Sequence, residues 1–166
     1  MKNLIGRDYE SELLNKYINS SKSEFIAIYG RRRVGKTYLI DQLFGKRYAF
    51  SFTGIIDGKK DVQFAALKDA FDFYGVNPEK MPNNWMDAFT ALRKFLQPKI
   101  SDKKPCIVFI DELPCLDYKG SPLVEALGYF WNSWASKQNN FKLIVCGSAT
   151  SWMIKNIIDS KGGLHN

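Results

Sequence analysis

Histidine is nearly absent from the chain, and cysteine is scarce. His165 stands alone, and Cys106, Cys115 and Cys146 form an odd set without a Cys-x-x-Cys pair, which argues against a zinc site, a redox couple and a disulfide framework. Cys106 and Cys146 fall inside apolar, strand-like runs, so buried free thiols in a reducing compartment are expected. Long hydrophobic runs are missing too: segments such as CIVFI fall far short of the ~20 residues that span a bilayer. The N-terminal MKNLIGRDYE turns charged before any apolar stretch of signal-peptide length, so neither export nor membrane association is expected, and a cytoplasmic location follows. No internal repeat, low-complexity tract or linker interrupts the chain.

What remains describes one globular domain over residues 1–166. A chain of 166 residues that is 45% apolar and 14% aromatic cannot be disordered, and it is long enough for one hydrophobic core but not for two domains of ordinary size. The net charge of +7 leaves room for an anionic partner such as nucleic acid bound through a basic surface, although solubility accounts for the same charge.

The hydrophobic pattern alternates between two periods. Tyr9, Leu13, Leu14, Tyr17 and Ile18 recur at helical spacing, which predicts a helix over about 8–19 with Asp8 as its cap. EFIAIYG predicts a strand ended by glycine, followed by a helix in GKTYLIDQLF; RYAFSFT predicts a second strand. Two amphipathic helices are predicted in DVQFAALKDAFDFYG and NNWMDAFTALRKFLQ, separated by the turn-rich VNPEKMP. PCIVFIDE and FKLIVCGSAT read as apolar strands, with a helix between them in SPLVEALGYFWNSWASK, Ser121 capping and Pro122 in its first position. Continuous apolar strands alternating with helices indicate an α/β fold whose parallel sheet is covered on both faces.

Within that frame Gly30, Gly35, Lys36 and Thr37 match G-x-x-x-x-G-K-[ST], directly after a strand and opening a helix. The glycines allow backbone N–H groups to turn toward a phosphate, and the helix N-terminus adds partial positive charge. Lys36 is expected on the β and γ phosphates of a nucleotide, and the Thr37 hydroxyl on Mg²⁺. IVFIDE supplies the complement: Asp111 at a strand end is a second Mg²⁺ contact, and Glu112 is placed to polarise an attacking water, which points to triphosphate hydrolysis. A solvated acidic strand end would explain Asp-Glu alone, but not its conjunction with the phosphate loop. After the last strand, Ser148 is expected at the γ phosphate or the water, with Thr150 as a substitute or as the cap of SWMIKNII. Arg31, Arg32 and Arg33 occupy loop positions that contribute mainly backbone N–H groups, so at least two are expected to project to solvent or to pair with carboxylates. A basic rim for a partner or nucleic acid is the alternative. The guanine-reading Asn-Lys-x-Asp is missing, which leans toward ATP.

With these residues in place the chain resembles the AAA+-like, STAND-related prokaryotic P-loop ATPases, an archaeal-type ATPase domain often joined to a C-terminal nuclease-like domain. The resemblance runs through IGRDYESELL, GRRRVGKTYLI, FTG, NNWMDAF, DELPCLDYKGSPLVEALGYFWNSWASK, LIVCGSATSWMI and GGLHN. It implies a three-layer sandwich of the additional-strand, glutamate class, in which the strand ending at Ser148 separates the Walker A strand from the Walker B strand. It implies catalytic roles for Lys36, Glu112 and Ser148, metal contacts from Thr37 and Asp111, and a nucleotide contact set of Ile5, Gly6, Arg7, Gly30, Arg31, Arg32, Arg33, Val34, Gly35, Lys36, Thr37 and Tyr38, with Ile5, Gly6 and Arg7 near the adenine. ATP and Mg²⁺ are the implied cofactors. Relatives continue past GGLHN into an arginine, a further core strand, a helical lid and a C-terminal domain, so this chain reads as the N-terminal part of a longer protein, prone to self-association without them. Cys115 stands where the family often has tryptophan.

Overall fold

The computed structural model describes residues 7–159. Helix α1 (Asp8–Ile18) leads into strand β1 (Glu24–Tyr29), followed by α2 (Lys36–Phe44), β2 (Tyr48–Thr53), α3 (Lys60–Tyr74), α4 (Trp85–Leu96), β3 (Cys106–Asp111), α5 (Leu123–Ser133), β4 (Phe141–Gly147) and the short α6 (Thr150–Met153), which widens into a π turn over Ile154–Ile158. The strands form one parallel sheet ordered β1-β4-β3-β2, with Ile26 opposite Ile144 and Ile144 opposite Phe109. As the resemblance implies, β4 separates β1 from β3.

Alternation along each strand divides the apolar side chains between two cores. Ile107, Phe109, Ile144 and Cys146 pack against Leu14 and Ile18 of α1 and Leu39, Ile40 and Phe44 of α2. Val108, Ile110, Phe141, Leu143 and Val145 face the larger core under α3, α4 and α5. Covered on both faces, β3 and β4 are buried at every position, which accounts for the apolar runs CIVFI and LIVC within them. Strand β1 is only half-buried. It lies at one edge of the sheet among the described residues, beside a groove of about 590 Å³ that Leu13 and Tyr17 of α1 also line. The predicted apolar stripe of α1 is therefore only partly used: Leu14 and Ile18 are buried, whereas Tyr9 is 74% exposed.

Helix termini depart from expectation at three places, each because a tertiary contact or the backbone prevails over local preference. Arg7 occupies the cap position of α1 without a side-chain cap bond, and Asp8 sits in the first turn, where its charge favours the helix dipole. Helix α5 begins at Leu123, with Pro122 rather than Ser121 in the cap position at ψ 35°, and the Ser121 hydroxyl donates instead to the Leu116 carbonyl at 3.2 Å. Thr150 opens α6 rather than capping it, and Ala149 stands in the cap position. By contrast, Asn84 caps α4 as its residue type favours, its side-chain oxygen accepting the Asp87 N–H at 2.8 Å.

Lys142 is a polar residue inside this interior. It lies at the start of β4, fully buried, and its ammonium donates to the Ser20 carbonyl at 2.7 Å, to the Ser20 hydroxyl at 2.9 Å and to the Lys22 carbonyl. All three donors are used, so the charge ties the α1–β1 connection to the central strand. Burial pulls its pKa below the usual lysine range. No helix among the described residues is long and apolar enough to cross a membrane.

Candidate functional site

Parallel pairing brings the carboxyl ends of the strands together: Tyr29 is opposite Gly147, and Thr53 is opposite Asp111. Ligand sites of open α/β sheets lie beyond this edge. The loop after β1 has an irregular backbone, with φ of 155° at Gly30, 63° at Arg33 and 86° at Gly35. Gly35 sits in open space, so glycine is needed there for its left-handed backbone rather than for room. The loop delivers Lys36 and Thr37 to the first turn of α2. Lys36 is buried, and its ammonium donates to the carbonyls of Gly30 and Arg31, both at 2.7 Å. One donor is left for an anion in the loop.

Thr37 donates its hydroxyl proton to the Asp111 carboxylate at 2.6 Å, across 74 positions of sequence. The other oxygen of Asp111 accepts the Glu112 N–H at 2.8 Å, and Asp111 is 4% exposed. A hydroxyl whose proton is committed keeps its lone pairs for a cation, and a neighbouring buried carboxylate adds negative charge. These hard oxygen donors suit Mg²⁺, which is held by few protein ligands together with substrate phosphates. The residues present therefore fit the metal that the fold implies.

Glu112 follows at φ 50° and ψ 44°, a left-handed backbone unusual for a non-glycine residue. This kink directs the chain from β3 into a 3₁₀ turn over Leu113–Leu116. The carboxylate of Glu112 accepts the Ser148 hydroxyl at 3.2 Å and lies 4.0 Å from the Cys115 sulfur. Ser148 reaches it because Pro114 packs against Gly147, where a Cβ would stand 2.7 Å from the proline ring. Burial and then the Glu112 charge push the Cys115 thiol up, which keeps it protonated beside that carboxylate. Burial likewise drives the Cys146 thiol well above its ordinary range, with Asp111 adding to the effect. All three cysteines are free, but Cys115 is only partly buried, because it lies in the turn after β3 rather than in a strand.

Lys36, Thr37, Asp111, Glu112 and Ser148 thus meet at one edge, whereas the other predicted contacts are placed differently. Arg7 donates to the Val34 carbonyl and pairs with Glu10 at 3.4 Å, so it braces the loop between β1 and α2. Ile5 and Gly6 lie outside the described residues. Arg31, Arg32 and Arg33 are exposed and form no ion pair among the described residues. Tyr38 is 52% exposed on the outer side of α2, and Val34 borders the groove beside β1. No role for Pro114, Gly54 or Gln63 was read from the sequence. Gln63 had one readable signal: it stands four residues before Leu67 and eight before Phe71, on the buried stripe of α3, where an apolar residue is expected.

A parallel sheet in this order, with a glycine loop leaving its edge strand and paired carboxylates ending β3, defines a P-loop NTPase fold. The chain belongs to the family of ATPase domains found predominantly in Archaea, which it matches over residues 4–166. An uncharacterized protein of Methanocaldococcus jannaschii is 30% identical over 97% of this chain, which spans 33% of that protein's length. Among solved structures, the Walker-type ATPase of Pyrococcus abyssi aligns with 95% of this chain and 49% of its own at a TM-score of 0.62 and 19% identity. The Aeropyrum pernix ORC2 protein, solved as ADPNP-ADP complexes, aligns with 93% of this chain and 45% of its own at a TM-score of 0.55 and 19% identity. These structures share the fold; the chain spans about half their length.

Proposed function

We propose that this domain binds ATP with Mg²⁺ and hydrolyses it, as the nucleotide module of a longer cytoplasmic protein whose output the bound nucleotide drives or switches. The 2.6 Å bond from Thr37 to Asp111 carries the reading, because it joins the phosphate loop to the carboxylate strand end at the point where a nucleotide's metal belongs. Lys36 holds the β and γ phosphates with its remaining donor, and the N–H groups of the loop and of the first turn of α2 receive the other oxygens. Thr37 and Asp111 would hold Mg²⁺, which when bound neutralises phosphate charge. Glu112 accepts the proton of the attacking water, and Ser148, bonded to its carboxylate, orients that oxygen toward the phosphate edge. Free thiols at Cys106, Cys115 and Cys146 support a reducing compartment.

ATP titrations with and without Mg²⁺, on the parent and on Asp111→Asn, test the proposal. Mg²⁺ should tighten parent binding by about tenfold or more, roughly 1.4 kcal/mol, and Asp111→Asn should lose that increment. Equal Mg²⁺ dependence in the two proteins would remove Asp111 from the metal site.

One observation favours a second reading, a nucleotide-dependent nucleic-acid-binding module with little turnover. Arg31, Arg32 and Arg33 stand exposed in a row beside the nucleotide mouth of a chain with net charge +7. Phosphate-backbone binding through them would weaken steeply with salt, so salt-dependent DNA binding that is lost on arginine removal, with ATP affinity intact, would favour it.

A further inference from the structure

Gln63 is fully buried, and both ends of its amide are occupied. Its carbonyl oxygen accepts the Ile55 N–H at 2.8 Å; its NH₂ faces three carbonyls, of Ile55 at 2.7 Å, Gly58 at 2.9 Å and Cys115 at 3.1 Å, so its two protons serve all three with one of them shared. The first three contacts shape the loop after β2. The fourth crosses to the turn after β3, on which Glu112 depends. That turn closes through the Cys115 N–H, which donates to the Glu112 carbonyl at 3.0 Å. A second contact comes from the same loop: a Cβ at Gly54 would stand 2.6 Å from the Glu112 carbonyl oxygen and 3.1 Å from the Cys115 side chain. Gly54 also donates its N–H to the Asp111 carbonyl at 2.9 Å.

We propose that Gln63 is a positioning residue for Glu112: its buried amide clamps the β2–α3 loop, with Gly54 in close contact, onto the turn that holds Glu112 in its left-handed backbone. The proposal rests on the hydrolytic reading of the site. A left-handed glutamate is strained and persists only where its surroundings enforce it. Here the enforcing parts are the Gln63 amide at Cys115 and the bare Cα of Gly54 against the Glu112 carbonyl. Without them the turn relaxes and the carboxylate leaves Ser148, while the phosphate loop on β1 and α2 is untouched. Because the same amide also holds Ile55 and Gly58, the loop after β2 and the Glu112 turn are tied through one side chain.

Gln63→Leu and Gly54→Ala, each made in the complete protein, test the clamp. The first removes every bond of the amide at similar volume, and the second drives the Glu112 carbonyl away without touching the amide. Both should lower kcat for ATP by about 10- to 100-fold, with ATP affinity within about twofold of the parent and faster iodoacetamide labelling of Cys115 relative to Cys106 and Cys146. A general packing role would instead expose Cys106 and Cys146 and weaken binding alongside kcat, and that pattern would overturn the proposal. Parent-like kcat in folded Gly54→Ala and Gln63→Leu would overturn it equally. A parent that binds ATP without turning it over contradicts the hydrolytic reading, not the clamp, which Cys115 labelling then decides: acceleration upholds it and an unchanged rate overturns it.

Discussion

Lys36 and Glu112 divide the proposed chemistry between binding and turnover, and neither can replace the other. Lys36→Ala removes the point charge held at the mouth of the loop by the Gly30 and Arg31 carbonyls, so ATP binding should fall below detection in a calorimetric titration; unchanged affinity would contradict the phosphate-loop assignment. Charge removal at exposed Arg31 or Arg33 should change ATP affinity by less than about tenfold, roughly 1.4 kcal/mol, because these positions offer backbone rather than side chain. A loss as large as that of Lys36→Ala would make the guanidinium a phosphate ligand. Lys36, Thr37, Asp111 and Glu112 were legible in the sequence because their spacing after apolar strands has a direct physical meaning. The role of Gln63 was not, since its partners are backbone groups up to 52 positions away, and its place on the buried stripe of α3 shows burial but not what it bonds. The expected cap at Ser121 does not form either: Pro122 holds the cap position, and the Ser121 hydroxyl donates to the Leu116 carbonyl.

The elements themselves were easier to read than their ends. Strands β3 and β4 are marked by apolar runs because both faces are covered, whereas their order, with β4 between β1 and β3, was legible only through the family resemblance. Their contents still held one surprise in Lys142, which reads as a break in an apolar strand yet ties β4 to the α1–β1 connection. Lys142→Met keeps the apolar stem but leaves the Ser20 and Lys22 carbonyls without their donor, so stability should fall by about 1–3 kcal/mol. Denaturant unfolding measures it, and a midpoint equal to the parent's would show that water replaces the ammonium without cost. The groove between α1 and β1, reaching Val34 and Lys36, also escaped the sequence, because helical spacing on α1 does not tell which apolar residues find a covering element.

At the scale of the whole molecule, the half-buried edge strand β1 presents backbone groups that invite pairing with another chain. The chain should therefore self-associate as its concentration rises in light scattering. A monomer mass at every concentration would contradict the role given to that edge. The central claim is that Glu112, held at the end of β3 beside the Thr37–Asp111 pair, turns nucleotide binding into hydrolysis. Phosphate release from ATP by the complete protein, compared between the parent and Glu112→Gln with ATP affinity measured in parallel, tests it most directly. The amide keeps the shape of the side chain but cannot take a proton, so turnover should fall by about 100-fold or more, beyond the lower end of general-base contributions, at unchanged affinity. Equal turnover in the two proteins would contradict the account.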